Sequence, residues 1–103
     1  MEAVITRVVL NGGAEAEWEA TMRDRMKAAE ASAGWIGGAL LAPEGDGGAR
    51  VIVGLWETRE DWQRWHDDPA FRETAERLRG LESDAGTATW HDAVYAGGRL
   101  TDR

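Results

Sequence analysis

Three kinds of side chain able to do chemistry crowd into one short stretch of this 103-residue chain, LWETREDWQRWHDDPAFR, residues 55–72. It holds three of the six tryptophans (Trp56, Trp62 and Trp65), one of the two histidines (His66) and Arg72. Indole surface can hold a flat organic molecule by stacking, and an imidazole beside it can accept a proton from that molecule. Trp65, His66 and Arg72 are therefore candidate catalytic groups, with Trp62 and Phe71 as candidate walls of a binding site. His91, in TATWHDAVY, is a second acid–base candidate, and Tyr95 can orient a phenolic ligand. Each has a plainer reading. Large aromatics at helical or strand spacing usually fill volume, which covers Trp18, Trp56 and Trp62. His66 has two aspartates next to it in sequence, which favour its charged form if they stay close. His91 can equally be an interface residue.

The elements that must position these groups are legible. Residues 3–10 (AVITRVVL) alternate as a strand, with Val4, Thr6, Val8 and Leu10 on one face and Ala3, Ile5, Arg7 and Val9 on the other. Trp18, Met22, Met26 and Ala29 recur at helical spacing between Ala14 and about Ser32. Residues 35–42 and 50–57 read as a hairpin around the loop PEGDGG. Thr58 supplies an N-cap hydroxyl, with Asp61 three residues on. Asp68-Pro69 restarts the helix with an N-cap and a proline at its first position, so a broken helix spans about Arg59 to Arg79. Residues 87–95 alternate as a last strand after a polar linker, ESDAG.

The order β-α-β-β-α-β predicts an α+β, ferredoxin-like domain with a four-stranded antiparallel sheet over residues 1–96, followed by a flexible tail over 97–103. Helices cover one sheet face. The other carries Ile5, Val9, Val51 and Val53, too apolar to be left in water, so a homodimer with two sheets packed face to face is expected.

Composition narrows the function classes. A formal charge of −7 argues against nucleic acid or an anionic membrane as a partner, because phosphate contacts need a basic face. The chain has no cysteine, which fits a cytoplasmic location and removes thiolate chemistry. Two histidines far apart in sequence give no zinc or iron spacing, so no metal is expected. No phosphate loop or dinucleotide fingerprint occurs, so no cofactor is implied. Oxygen chemistry here would need the substrate to supply the electrons. An electron-rich phenolate can do so if the protein deprotonates it, holds it flat and excludes water. Gly37, Gly38 and Gly54 lie inside predicted strands, where glycine marks either a bulge or a place of close approach. Gly38 and Gly54 are on that ground candidate ligand-side positions.

The order of elements, the strand ending Trp56-Glu57-Thr58 and the run WETREDWQRWHDDPAFRETAERL together resemble the antibiotic biosynthesis monooxygenase domain family, over about residues 3–96. The resemblance implies a small, usually dimeric α+β barrel with a pocket between sheet and helices. Activities in that family include cofactor-free oxygenation of anthrones to quinones, quinol oxidation, oxidative opening of haem and isomerisation of small phosphorylated ligands. The haem-opening branch has an Asn in the first strand, a Trp in the broken helix and a His further along it. These positions fall on Thr6, which stands as a candidate ligand-binding residue, on Trp65 and on Ala75, so the iron ligand is missing. The resemblance thus implies a cofactor-independent monooxygenase acting on an aromatic polyketide-like, anthrone or quinol substrate. The alternatives are a non-catalytic small-molecule binding module and, behind it, a haem-binding member.

Overall fold

The computed structural model describes residues 1–45 and 47–99. Along the chain run β1 (Glu2–Leu10), α1 (Glu15–Ala29), β2 (Trp35–Leu41), β3 (Arg50–Trp56), α2 (Arg59–His66), α3 (Pro69–Leu78), β4 (Glu82–Asp84) and β5 (Ala88–Asp92). The sheet is antiparallel in the order β2-β3-β1, and both β4 and β5 pair with the far side of β1. This is the expected α+β, ferredoxin-like plan. Its fourth strand is divided, giving five strands where four were expected.

The division has a local cause. β4 pairs the end of β1 (Val9 with Asp84, Leu10 with Glu82), whereas β5 pairs its beginning (Glu2 with Asp92 through Thr6 with Ala88). Between them the chain steps around the Arg7 carbonyl, with Gly86 at φ +72° and its N–H donating to Asp84 Oδ1 at 2.8 Å. The stretch first read as a linker is thus partly β4. β5 stops at Asp92 and not at Tyr95, because β1 runs out of partners there; the last rung is Ala93 N–H to the Met1 carbonyl, 3.0 Å. α1 likewise ends at Ala29, short of Ser32, where the Ala31 and Ser32 amides tighten to carbonyls three residues back.

Both predicted caps of the broken helix form. Thr58 accepts from Asp61 N–H at 3.1 Å, and Asp68 from Ala70 N–H at 2.8 Å. Helices then cover the sheet face bearing Val4, Val8, Gly54 and Trp56. Two clusters fill the layer: Val4, Ala29, Trp56 and Trp65 in one, Val8, Trp18, Met22 and Leu78 in the other. The opposite face presents Ala3, Ile5, Val51, Val53, Leu55 and Ala39, with Arg7 and Val9 exposed among them. The tail expected over 97–103 falls outside the described residues from Leu100 onward.

Gly86 and Gly80 separate two costs of losing a glycine. A β-carbon at Gly86 would sit 1.7 Å from the Arg7 carbonyl oxygen, whereas one at Gly80, φ +84°, meets nothing within 4 Å. Gly80→Ala should cost about 1 kcal/mol, the left-handed backbone alone. Gly86→Ala should cost more than that, about 3 kcal/mol or above, because β1 and the β4–β5 step must also separate. Urea denaturation of the two variants checks the order.

Candidate functional site

The rings of α2 and α3 meet as a packed cluster. Trp65 is 6% exposed and stands edge-on to Phe71, with centroids 5.7 Å apart. Trp62 meets Trp90 of β5 edge-on at 4.9 Å. His66 lies between Trp62 and Phe71, at 3.9 and 4.1 Å. Trp62, Trp65, His66 and Phe71 therefore come together as the spacing predicted, yet they fill the space beside Trp65 with one another. The concavity that Trp65 does border lies on the outer side, between the end of α1 and α2, with Asp61, Arg64 and Asp68 on its rim.

His66 departs from its sequence reading. It is half-buried, and its Nδ1–H donates to the Trp62 carbonyl at 2.8 Å. Its pKa lies below the ordinary 6.5, chiefly because burial penalises the cation; the Trp62 carbonyl opposes this, Arg25 adds to it and Asp67 opposes it more weakly. The neighbouring aspartates thus do not decide its charge; loss of water does.

The remaining candidates are dispersed. Arg72 is 70% exposed and only loosely faces Asp67, at 3.8 Å. His91 lies on the outer sheet face opposite Ala3, exposed, and Tyr95 is 87% exposed beyond the end of β5. Thr6 sits half-buried on the helix side, in register with Ile52 and Ala88. Ala75, the position of the missing haem ligand, is exposed on α3. Among the described residues no three His, Asp or Glu side chains converge in a way that could hold a metal ion.

Gly38 and Gly54 face each other directly across β2 and β3. The space their missing side chains leave is entered by the Trp35 ring edge and the Met26 methyl at Gly38, and by Trp56 and Val4 at Gly54. A bulge also occurs, between Trp35 and Gly37. Beyond Gly38 a groove of about 910 Å³ runs along α1 and around the β2 edge, bordered on the helix side by Trp18, Met26, Trp35, Leu40 and Arg50 and on the opposite face by Ala39 and Leu55, with Met1 and Gly97. Arg50 pairs with Glu19 and lies 6.0 Å over the Trp18 ring. The volume falls within the range of small-molecule sites, and the mix of apolar walls with a few charged groups is typical of them. Sequence periodicity gave no hint of Arg50, because its role depends on β3 lying beside α1. Arg25 was missed for the same reason. Its guanidinium stacks on Phe71 at 4.0 Å, and its Nε–H donates to Thr74 Oγ1 at 2.7 Å.

A folded-state pKa below 6.5 at His66 has a defined sign for stability. Between that value and 6.5 the unfolded chain binds a proton that the folded chain does not, so stability rises with pH through the window. The contribution is complete above the unfolded value and lost as pH falls through the folded one. The His66 C2 proton should titrate with a midpoint below 6.5, and His66→Gln should flatten the acid-side fall in urea stability; a wild-type slope in the variant would contradict this.

Comparison with known proteins gives this geometry a context. The family model for antibiotic biosynthesis monooxygenase matches residues 1–77. No curated protein matches significantly. Among solved structures, the chain is similar to SnoaB, a cofactor-independent oxygenase of Streptomyces nogalater, at 19% identity, TM-score 0.79, covering 92% of this chain and 94% of that one. It is also similar to Rv0793 of Mycobacterium tuberculosis, at 18% identity and TM-score 0.80, covering 94% and 98%. A Nitrosomonas europaea protein superposes with TM-score 0.84 at 12% identity, covering 92% and 100%. At such identities the structures share the fold, while the family model, spanning most of the chain, carries the membership: this protein belongs to the antibiotic biosynthesis monooxygenase family.

Proposed function

We propose that this chain is a cofactor-independent monooxygenase that oxidises a flat, electron-rich phenolic or quinol-like molecule bound in the groove between α1 and β2. The observation that carries the reading is the groove itself. Trp35, Met26 and Leu40 supply apolar surface beside the edge of the sheet. Arg50 stands where it can stabilise a phenolate. Membership of the family and the likeness to SnoaB support oxygen chemistry without a cofactor.

The balance of the reaction is simple for an anthrone. Its CH₂ group becomes a carbonyl: one atom of O₂ enters the ketone, and the other leaves as water with the two hydrogens lost from carbon. The substrate supplies all the electrons. Protein groups hold the ring system flat, stabilise the anion that reacts with oxygen and exclude bulk water. The packed cluster of Trp62, Trp65, His66 and Phe71 then serves to fix α2 and α3 against the sheet that carries the groove.

The reading includes a homodimer. The outer face of the sheet, with Ile5, Val51, Val53 and Leu55 in register, would be covered by the same face of a second copy. No helix of the described residues is long and apolar enough to cross a membrane.

Metal-free protein incubated in air with anthrone should yield anthraquinone with one O₂ consumed per product. Arg50→Gln should lower turnover by about 10²-fold, the scale of removing one preorganised electrostatic contact. Met26→Trp, which fills the groove, should abolish it, with circular dichroism checking that the fold persists despite the tighter packing. No turnover above the uncatalysed rate across anthrone and quinol substrates would overturn the enzymatic reading, and saturable quenching of Trp fluorescence without product would leave a binding module in its place. Sedimentation should show a dimer, and Val53→Lys a monomer.

A further inference from the structure

Arg25 is bonded in an unusual way for a half-buried cation. Its Nε–H donates to Thr74 Oγ1 at 2.7 Å, and one Nη2–H donates to the Phe71 carbonyl at 3.4 Å. Its flat face rests on the Phe71 ring. All three partners are neutral. Among the described residues no carboxylate lies within ion-pair distance of it, although other arginines of this acidic chain have such partners: Arg50 with Glu19, Arg77 with Asp24 and Glu73, Arg79 with Glu76.

A guanidinium carries five N–H groups in a rigid fork. The two contacts at Arg25 occupy one side of that fork. The end formed by Nη1 and the outer Nη2–H has no acceptor from the described residues, and it is the geometry that receives both oxygens of a carboxylate at once. Holding a cation away from water with only neutral partners is costly, and a bound anion offsets that cost. Burial indeed pulls the pKa of Arg25 down to about 10, against a smaller upward pull from Glu82. Glu82 does not close the fork: its Oε2 accepts from Trp18 Nε1–H at 2.9 Å, which ties it to the start of α1.

We propose that Arg25 is the anchor of a binding site for a small organic carboxylate, received end-on by the vacant side of its fork beside Phe71 and His66. A monoanion suits the place better than a phosphate. The chain carries a formal charge of −7 and Glu82 lies close enough to act on Arg25, so a second negative charge on the ligand would meet repulsion. Arg25 is not among the residues that line the groove; on the wheel of α1 it lies opposite Arg23, Lys27 and Glu30, and of the groove residues on α1 only the fully buried Trp18 shares its face. The two sites are therefore separate, and failure of the oxygenase reading leaves this one standing.

Benzoate is the probe, and benzamide its neutral isostere. Benzoate added to the intact protein should quench Trp fluorescence saturably, and benzamide should bind at least about 10-fold more weakly. The His66 C2 proton should report the place of binding: a carboxylate bound beside it favours the imidazolium, so its titration midpoint should move upward with benzoate and stay put with benzamide. Arg25→Gln should weaken benzoate by about 10- to 100-fold. Arg25→Lys, which keeps the charge but not the fork, should fall between. Glu82→Gln should tighten binding, because it removes the competing anion. If Arg25→Gln does not fold, the benzoate–benzamide contrast and Glu82→Gln decide the matter. Equal binding of the two probes, no binding of either, or wild-type affinity in Arg25→Gln would reduce Arg25 to a tie between α1 and α3 and overturn the proposal.

Discussion

The architecture rests on how indole rings are accommodated on one face of a small sheet. Gly38 and Gly54 lie opposite each other there and contribute no side chains. Trp35 and Trp56 take up part of that volume, standing edge-on with centroids 5.2 Å apart. Rings this large bury much apolar surface, and edge-to-face contact sets their relative angle as well as their distance. With these positions fixed, α1 is kept off the sheet beyond Gly38, and the groove along β2 follows. A bulkier residue at Gly38 would meet the Val53 carbonyl, the Trp35 ring and the Met26 methyl at once.

A second consequence concerns the helices. Trp62, Trp65, His66 and Phe71 pack on one another, so one aromatic cluster joins α2 to α3 across the break at Asp67-Asp68. α1 is joined to α3 through Arg25, Thr74 and Phe71, and through Arg77 with Asp24 at 2.9 Å. The polar ties differ in weight. The Arg77 pair is substantially exposed and contributes little to stability. Arg25 is partly withdrawn from water, so its neutral partners and any added anion matter far more. The same withdrawal keeps His66 uncharged near neutrality. Burial, and not sequence neighbours, sets both groups.

The two faces of the sheet divide the work. The helix side carries the aromatic cluster and the inner wall of the groove, whereas the outer side is mainly a strip of aliphatic residues, interrupted among the described residues by Arg7, by Asp84 opposite Val9 and by the β5 positions Thr89 and His91. His91 was attractive as an acid–base because it adjoins Trp90. Strand alternation sends the two side chains to opposite faces, so Trp90 joins the cluster and His91 does not. Tyr95 has no strand to place it, because β1 supplies no partner beyond Met1.

Local chemistry fixed what could be read in advance. The period of two in β1 and β3, the spacing of Trp18, Met22 and Ala29, and the caps at Thr58 and Asp68 depend on residues within one or two turns of each other, so elements and their order were legible, and with them the family. Tertiary structure alone decided which rings close a core and which border an opening. It brought Arg25 and Arg50 to positions of interest from helix and strand faces with no distinguishing pattern. It also split the last strand at Gly86, where the Arg7 carbonyl, some eighty positions earlier in sequence, leaves no room for a side chain. Such outcomes turn on distances between segments remote in the chain, and periodicity carries no information about those.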